Sequence, residues 1–409
     1  MSQSRTASSR LHGLWDSFWL IPAVCAIGAL VAAILLATSD LHLDLLLKGL
    51  LPNNPAGARS LLSSIITAMI SFTALVFSIT VIAVQLTSSQ YTPRVLRNFL
   101  QDRVSQATLG TFVATFLFAM VVLAALPNRS DAQLPALSLA ISMVLVLGST
   151  GMFIYYLQHM TTLMRVSHMI AAIGVQTRGD IRRWSADTSD SGGQPALGPV
   201  VAVVPAPAAG IVVSVNLDLL AALARQHGCA IAVTPIPGDF VVEGVPLLTV
   251  HSLDDIPPRP IDATRAAQAV DTGIERGPGQ DVGFGLRQLA DIAERSLSPG
   301  INDTTTAVRA IQESHDLLRR LAGRPDRPSI VRGDGDQILV HVRRQSFDSH
   351  LATSIDDIRR TASGQPRITK LIDSILADLV TVARPEHRAA IRQRQSQSHP
   401  ATEANTQQR

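Results

Sequence analysis

Residues 60–90 read SLLSSIITAMISFTALVFSITVIAVQLTSSQ, without charge, glycine or proline. The apolar part, 61–86, is long enough as a helix to cross a hydrocarbon core of about 30 Å with a turn or more to spare. Hydroxyls punctuate it. Ser64, Ser71, Ser78 and Gln85 recur every seven residues, with Ser60 before them and Thr67 between. A seven-residue step drifts only about 20° around a straight α-helix, so these side chains form one narrow polar stripe. Thr73, Thr80 and Thr87 form a second row on the far side of the helix. Polar side chains in a membrane helix need partners or water. Ser64, Thr67, Ser71, Ser78 and Gln85 are therefore either pore-lining, along a hydrated path, or helix-packing, with hydroxyls bonding back to their own carbonyls.

Three further apolar runs flank this one, at 18–37, 108–126 and 136–157. The first follows a basic flank and, at about 20 residues, exceeds a signal-peptide core, so it reads as an uncleaved anchor. Trp15 and Trp19 suit the headgroup level. The run at 41–51 carries a few charges and reads as interfacial. Gly148 and Gly151 in the fourth run are expected to let a neighbouring helix approach. Arginines set the orientation. Arg5 and Arg10 precede the first span, Arg94, Arg97 and Arg103 follow the second, and Arg165, Arg178, Arg182 and Arg183 follow the fourth. The alternate loops hold Lys48 and Arg59, or Arg129. The expectation is a transmembrane domain over 1–165 in a bacterial inner membrane, with four transmembrane helices and both termini cytoplasmic.

Composition agrees with such a division. The chain has 409 residues, too many for one ordinary domain, and joins 46% hydrophobic residues to only 16% charged ones. Its net charge of +3 is too small to argue for nucleic acid as a partner. Cys25 and Cys229, far apart, make neither a disulfide framework nor a zinc motif. No span holds an ionisable residue at its centre and no internal repeat is visible, which argues against an ion-coupled transporter.

The remainder reads as a cytosolic α+β region. Residues 166–199 are a connecting helix and a Gly-rich linker. Residues 200–258 are a small β-rich module: strands, an amphipathic helix at 217–227, then strands with turns at Pro237-Gly238-Asp239 and Glu243-Gly244. The run PGDFVVEGVPL resembles the turn pair of barrel-sandwich domains. This module has no lysine to carry biotin or lipoate, so a swinging arm is excluded and no cofactor is expected. Residues 259–385 read as a mainly helical α+β domain, with helices at 264–275, 284–297, 305–321, 356–361 and 367–384 and a strand at 338–342 paired with Ile330 and Val331. Residues 386–409 read as a disordered tail.

Candidate chemistry is sparse. Gly277-Pro278-Gly279 and Gly283-Phe284-Gly285 break phosphate-loop spacing and read as a plain turn. Asp334 and Asp336 read as a hairpin turn before a cation site. No histidine falls in metal-ligand spacing and no nucleophile motif is present, so neither a metal site nor an enzyme is expected. The strongest constellation is DVGFGLRQLADIAERSLSPGINDTTTAVR at 281–309. Arg287, Asp291 and Arg295 stand at i, i+4, i+8 on one helix face, and Asn302, Asp303 and Thr304 can cap the next helix. These six residues form either a salt-bridged helix with a capped turn or a ligand or coupling site for an anionic or polar molecule.

The stretches SFTALVFSITVIAVQLTSSQYTPR, PGDFVVEGVPL and FGLRQLADIAERSLSPGINDTTTAV, together with the order of parts, resemble a family of uncharacterised bacterial membrane proteins, domain of unknown function 2254. The resemblance spans about residues 15–382 and implies a bacterial inner-membrane location and this layout. It implies no activity. Thr304 reads as a departure, Pro being expected there. The functional expectation is an oligomeric channel-like protein, a homo-oligomer in the lipid bilayer gated by its cytosolic region. The alternative is a non-conducting sensor or scaffold whose cytosolic modules bind a ligand or partner.

Overall fold

The computed structural model describes residues 20–37, 54–90, 102–126, 135–163, 165–186, 197–253, 259–277, 279–326, 329–333 and 337–398. The interfacial run at 41–51, the Asp334 and Asp336 pair, Arg94 and Arg97, and most of the linker lie outside them. The chain divides into two compact units, Met1–Arg165 and Val166–Arg409.

The first unit holds helices α1 (Leu20–Ala37), α2 (Pro55–Gln90), α3 (Arg103–Ala125) and α4 (Ala136–Leu163). Three of them, α2, α3 and α4, are long and apolar enough to cross a membrane; α1 is apolar but shorter. The α2 helix starts six residues before the expected span of 61–86, because Asn54 Oδ1 accepts from Gly57 N–H at 2.6 Å and satisfies a first-turn donor. The unit has an apolar core that includes Leu62, Met69, Phe112 and Phe118, and both its surface and its interior depart from those of a soluble protein. Val24, Ile27, Phe77, Val144, Leu147 and Ile154 are exposed, while Ser105, Thr108, Thr115, Ser138, Ser142 and Ser149 are buried. That arrangement is stable only where the surroundings are apolar. The α3 helix packs on the other three. Against α1 it packs tightly at Gly110, where a Cβ would lie 3.0 Å from Cys25 Sγ and 3.3 Å from Pro22 Cα. Within the chain Gly148 and Gly151 serve no such contact with a described residue: nothing lies within 4 Å of a Cβ built on either. Both face outward on α4, a face that hydrophobicity alone could not distinguish from the inner one.

The second unit begins with α5 (Val166–Ala186), which packs against α8 (Val282–Ser296) and α9 (Thr304–Ala322). Between them in the chain come β1 (Val200–Pro205), β2 (Gly210–Val215), α6 (Leu217–His227), β3 (Cys229–Val233), β4 (Phe240–Val241), β5 (Pro246–Ser252), α7 (Ala263–Ala267) and β6 (Val270–Gly273). After α9 come β7 (Ser329–Arg332), β8 (Ile338–Val342), α10 (Phe347–Leu351), a π-helical turn Ala352–Asp356, α11 (Asp357–Thr361), α12 (Pro366–Val382) and α13 (Pro385–Ser398). The strands form a five-stranded sheet, β1-β5-β3-β8-β7, and a three-stranded sheet, β4-β2-β6. All pairs are antiparallel except β3 with β8.

The α6 helix forms where its amphipathic spacing places it. Asn216 caps its start, and Gly228 ends it at φ +66°. Gly238 and Gly244, at φ +99° and +82°, supply the two turns. Residues 200–258 do not close on themselves as a barrel-sandwich module would. Strand β2 pairs with β6, and β3 with β8. The reason lies in β3, whose five residues are all buried and which needs a partner on each edge. Leu220, Leu223, Ile231, Leu248 and Val340 fill the resulting core.

Two helical expectations change. Residues 264–275 split into α7 and β6, the turn at Gln268 intervening. The stretch 386–398, expected to be disordered, is helical in α13, although it has few apolar residues. His387, Ile391 and Arg394, at i, i+4, i+7, are buried. His387 Nε2 lies 2.7 Å from the Arg324 carbonyl oxygen, and Arg394 bonds Asp356 and Asp348. The face that docks α13 is polar, and apolar periodicity does not see it.

Candidate functional sites

The hydroxyl stripe of α2 lies on the outside of its unit. Ser64, Thr67, Ser71, Ser78 and Gln85 are exposed, while Leu62, Met69, Val76 and Ala83 on the opposite side are buried. Ser64, Thr67 and Ser71 donate to the carbonyls of Ser60, Ser63 and Thr67 at 2.9, 2.9 and 3.0 Å. From the second row, Thr80 points inward. Thr80 Oγ1 is 2.7 Å from the hydroxyl of fully buried Tyr156, which donates to the Val76 carbonyl at 3.2 Å. Thr115 Oγ1 and Ser149 Oγ are 2.9 Å apart. At one end of the unit Asp102 caps α3, accepting from Ser105 N–H at 2.9 Å, and its other oxygen lies 2.9 Å from His159 Nε2 on α4. The rings of Phe72, Phe112 and Phe153 meet at centroid distances of 5.0 to 6.4 Å and occupy the interior beside this seam.

The cluster at 287–304 separates into two places. Arg287 Nε donates to Asp291 at 2.6 Å and Nη1 to Asp357 at 2.7 Å, with Glu294 at 3.3 Å. Burial works to lower the Arg287 pKa, and the acids around it outweigh that and raise it. Burial raises Glu294, with Asp357 and Asp291 adding to it against Arg287. One guanidinium thus holds three carboxylates, so this face does not invite an anion. Arg295 is half-buried further along α8. The SPGIND turn reverses the chain through Asn302, which takes φ +50°. Asn302 and Thr304 meet at Gln365, each at 3.3 Å. Asp303 is the N-cap of α9: one oxygen accepts from Thr306 N–H at 3.0 Å and the other from its hydroxyl at 2.6 Å. Those two bonds hold its carboxyl below the usual range.

The Gly283-Phe284-Gly285 segment is neither a turn nor a phosphate loop but the first turn of α8. A Cβ at Gly283 would lie 1.9 Å from Gln345 Oε1, and one at Gly285 1.9 Å from Thr177 Oγ1 on α5. On α5 itself a Cβ at Gly174 would lie 1.9 Å from Glu313 Oε1 of α9. Glu313 in turn accepts from Arg178 Nη1 at 2.5 Å. Gly285 and Gly174 let three helices approach closely around a partly buried ion pair.

A site that sequence reasoning missed lies at the start of α8. A half-open cleft of about 690 Å³, open space at its mouth included, is bounded by residues that follow β3 and β8. These two strands run parallel, and Ile236 and Pro237 beyond one and Arg343, Arg344 and Gln345 beyond the other line the cleft. It therefore lies at the carboxyl ends of this parallel pair. Asp281 caps α8 through Phe284 N–H at 3.0 Å and is gripped by Arg276 through Nε at 2.8 Å and Nη2 at 2.9 Å. Burial raises its pKa while Arg276 pulls the other way. A Cβ at Gly238 would lie 2.5 Å from Asp281 Oδ2, which ties the PGD turn to this clamp. Gln280 is spent on the backbone of Val215, accepting from its N–H at 2.8 Å and donating to its carbonyl at 3.0 Å. Asp180 receives Arg183 and the Gly279 N–H. His350, fully buried at the base, is pushed down to about 4 by burial, with Arg276 adding to it. Among the described residues no group of three His, Cys, Asp or Glu could hold a metal ion. Arg343-Arg344-Gln345 directly after a β-strand was the signal available in the sequence.

A family model described as "Predicted membrane protein (DUF2254)" matches residues 15–378. The chain is similar to uncharacterized proteins of Mycobacterium tuberculosis (strain ATCC 25618 / H37Rv) and Mycobacterium bovis (strain ATCC BAA-935 / AF2122/97). Each is 29% identical over 391 residues, which is 93% of this chain and 75% of the relative. No solved structure matches the chain.

Proposed function

Because the chain belongs to the DUF2254 family of predicted membrane proteins, we propose that it is a multi-pass protein of a bacterial inner membrane, with four spans and both termini cytoplasmic, that assembles as a channel-like homo-oligomer gated by its cytosolic unit. One observation carries this reading. The polar stripe of α2 is exposed on the outside of its unit, between apolar faces, where lipid is a poor neighbour for Gln85 and a second copy or water a better one. Within the unit Phe72, Phe112 and Phe153 pack against one another, so a path along the stripe would form between copies. The reading involves no catalytic step. Ser71→Leu and Ser78→Leu should leave oligomer mass in nanodiscs unchanged and lower ion flux from reconstituted vesicles, since apolar bulk dewets a narrow path. Parent-level flux in both variants, with assembly intact, would sink the pore reading.

The second reading, a non-conducting sensor or scaffold, is favoured by the hydrogen bonding of the stripe. Ser64, Thr67 and Ser71 already bond their own helix and require no water. A monomer in both detergent and lipid, silent in the flux assay, is the outcome this reading expects.

A further inference from the structure

The three-stranded sheet β4-β2-β6 has one face toward the core and one open. Gly210 pairs with Val241 and Val212 with Thr272, and both Val212 and Val241 are buried. Ile211 pairs with Phe240 on one side and Gly273 on the other, so these three share the opposite, outer face. Phe240 is 66% exposed, and Val242 and Ile274, which run on from the two outer strands, are 54% and 96% exposed. Large apolar side chains gathered in the open and rimmed by polar ones mark an interaction site. The run PGDFVVEGVPL, conspicuous in the sequence for its turns, supplies Phe240, Val242 and Glu243 of this patch.

The rim is acidic. Asp239, Glu243, Asp271 and Glu275 are all exposed, and residues 210–215, 239–245 and 270–275 contain no Lys, Arg or His. Arg276, next in the chain, is turned to Asp281. Asp239 accepts from Ile236 N–H at 3.0 Å, while Glu243, Asp271 and Glu275 form no ion pair with a described residue. This charge decides among occupants. An anionic bilayer surface is repelled by four carboxylates. A second copy presenting the same face across a twofold axis sets acid against acid. A basic chain is attracted. Strand β6 also stands at the end of its sheet, with β2 as its neighbour, so its outer backbone edge can take an added strand.

We propose that this face binds an extended basic segment of a partner protein, which adds beside β6 with its cationic side chains toward Asp271 and Glu275 and its apolar ones against Ile274 and Val213. A Cβ at Gly273 would lie 3.0 Å from Val213 Cγ2, so Val213 occupies the space over Gly273 and is what an apolar side chain of the added strand meets there. A carboxylate on an open edge discourages pairing with another acidic edge and by the same charge admits a basic strand. The inference rests on the sheet alone and needs neither a pore nor an oligomer.

The test uses the full chain in phosphatidylcholine nanodiscs and a fluorescein-labelled peptide alternating Arg and Val, followed by anisotropy against empty nanodiscs. Saturable binding is expected, weakening as salt rises. Asp271→Asn with Glu275→Gln should weaken it about tenfold, the loss of two exposed charge pairs. Ile274→Ser should weaken it about threefold without a change of charge. Asp271→Arg with Glu275→Arg should abolish it and create binding of the matching Glu–Val peptide. The substituted side chains are exposed, so all variants should melt with the parent. Replacing alternate Val by Pro in the peptide removes backbone donors and should abolish binding. The proposal is overturned if the Arg–Val peptide does not bind, if it binds the charge-reversed protein as well as the parent, or if the Pro peptide binds equally. A lower oligomer mass in Ile274→Ser would assign the face to a second copy. A blue shift of a dansyl probe on Ile274→Cys, on passing from detergent to phosphatidylglycerol nanodiscs, would assign it to the bilayer. Either result also overturns the proposal. Because no conductance is measured, that failure is distinct from failure of the pore reading.

Discussion

At the residue scale, burial decides what the titratable groups do. His350 would take a proton near pH 6.5 in the unfolded chain and does so only at about 4 in the folded one. Between these values the unfolded state binds more protons, so stability falls as pH falls from about 6.5 to about 4 and is unaffected by this group above that window. The loss should approach 3 kcal/mol by the linkage relation, at about 1.4 kcal/mol per pH unit. Denaturant midpoints of the full chain in detergent, measured across pH, check it: His350→Gln should flatten that part of the curve, and an unchanged slope would remove His350 as the cause. Asp303 shows the opposite environment, an exposed carboxylate held by two bonds from Thr306. Its cap role was one of two readings open in the sequence, and the geometry supplies the cap directly.

At the scale of elements, glycine in a helix has two meanings that composition cannot separate. Gly285 and Gly174 sit where α5 meets α8 and α9, with Thr177 and Glu313 occupying the space a methyl group would need. Gly285→Ala should therefore destabilise the protein by about 1–3 kcal/mol, the usual cost of overpacking. Gly148 faces open space on α4, and Gly148→Ala should be neutral or stabilising by up to about 1 kcal/mol, from helix propensity. Thermal unfolding of the two variants side by side reads the difference, and equal effects would contradict the close packing at Gly285. The α13 helix makes a related point. Its seat is made by His387 and Arg394 as much as by Ile391, and charge pairing with Asp348 and Asp356 substitutes for an apolar stripe.

At the scale of the whole molecule, the orientation proposed above is open to direct measurement. In a Cys25→Ala background, a cysteine at Ser130 should react with an impermeant thiol reagent on intact cells, and one at Glu243 only after permeabilisation. The remaining native thiol, Cys229, should stay silent, because burial pushes its pKa up to about 11 and the thiolate is the reactive form. Ser105 is unsuited to such a probe, being fully buried in the first unit. Labelling at Glu243 but not Ser130 in intact cells would invert the arrangement.

The apolar runs, the helix caps and the turn glycines were determined by sequence alone, because each depends on residues within one or two turns of chain. Spacing at seven residues determined that Ser64, Ser71 and Ser78 share a face of α2, and the helix caps and turns at Asn216, Asp303, Gly238 and Gly244 follow local chemistry in the same way. Only the tertiary structure decided which way those faces point. It turned Thr80 inward to Tyr156 and left Ser71 outside, and it chose Gly110 over Gly148 as the place where helices touch. It also paired β3 with β8 across about a hundred residues and so opened the cleft between Ile236 and Arg343. Parallel pairing and polar docking carry no local period. Their free energy comes from groups distant in the chain, such as Ile231 with Val340 or Arg394 with Asp348, and exists only once the fold has brought them together.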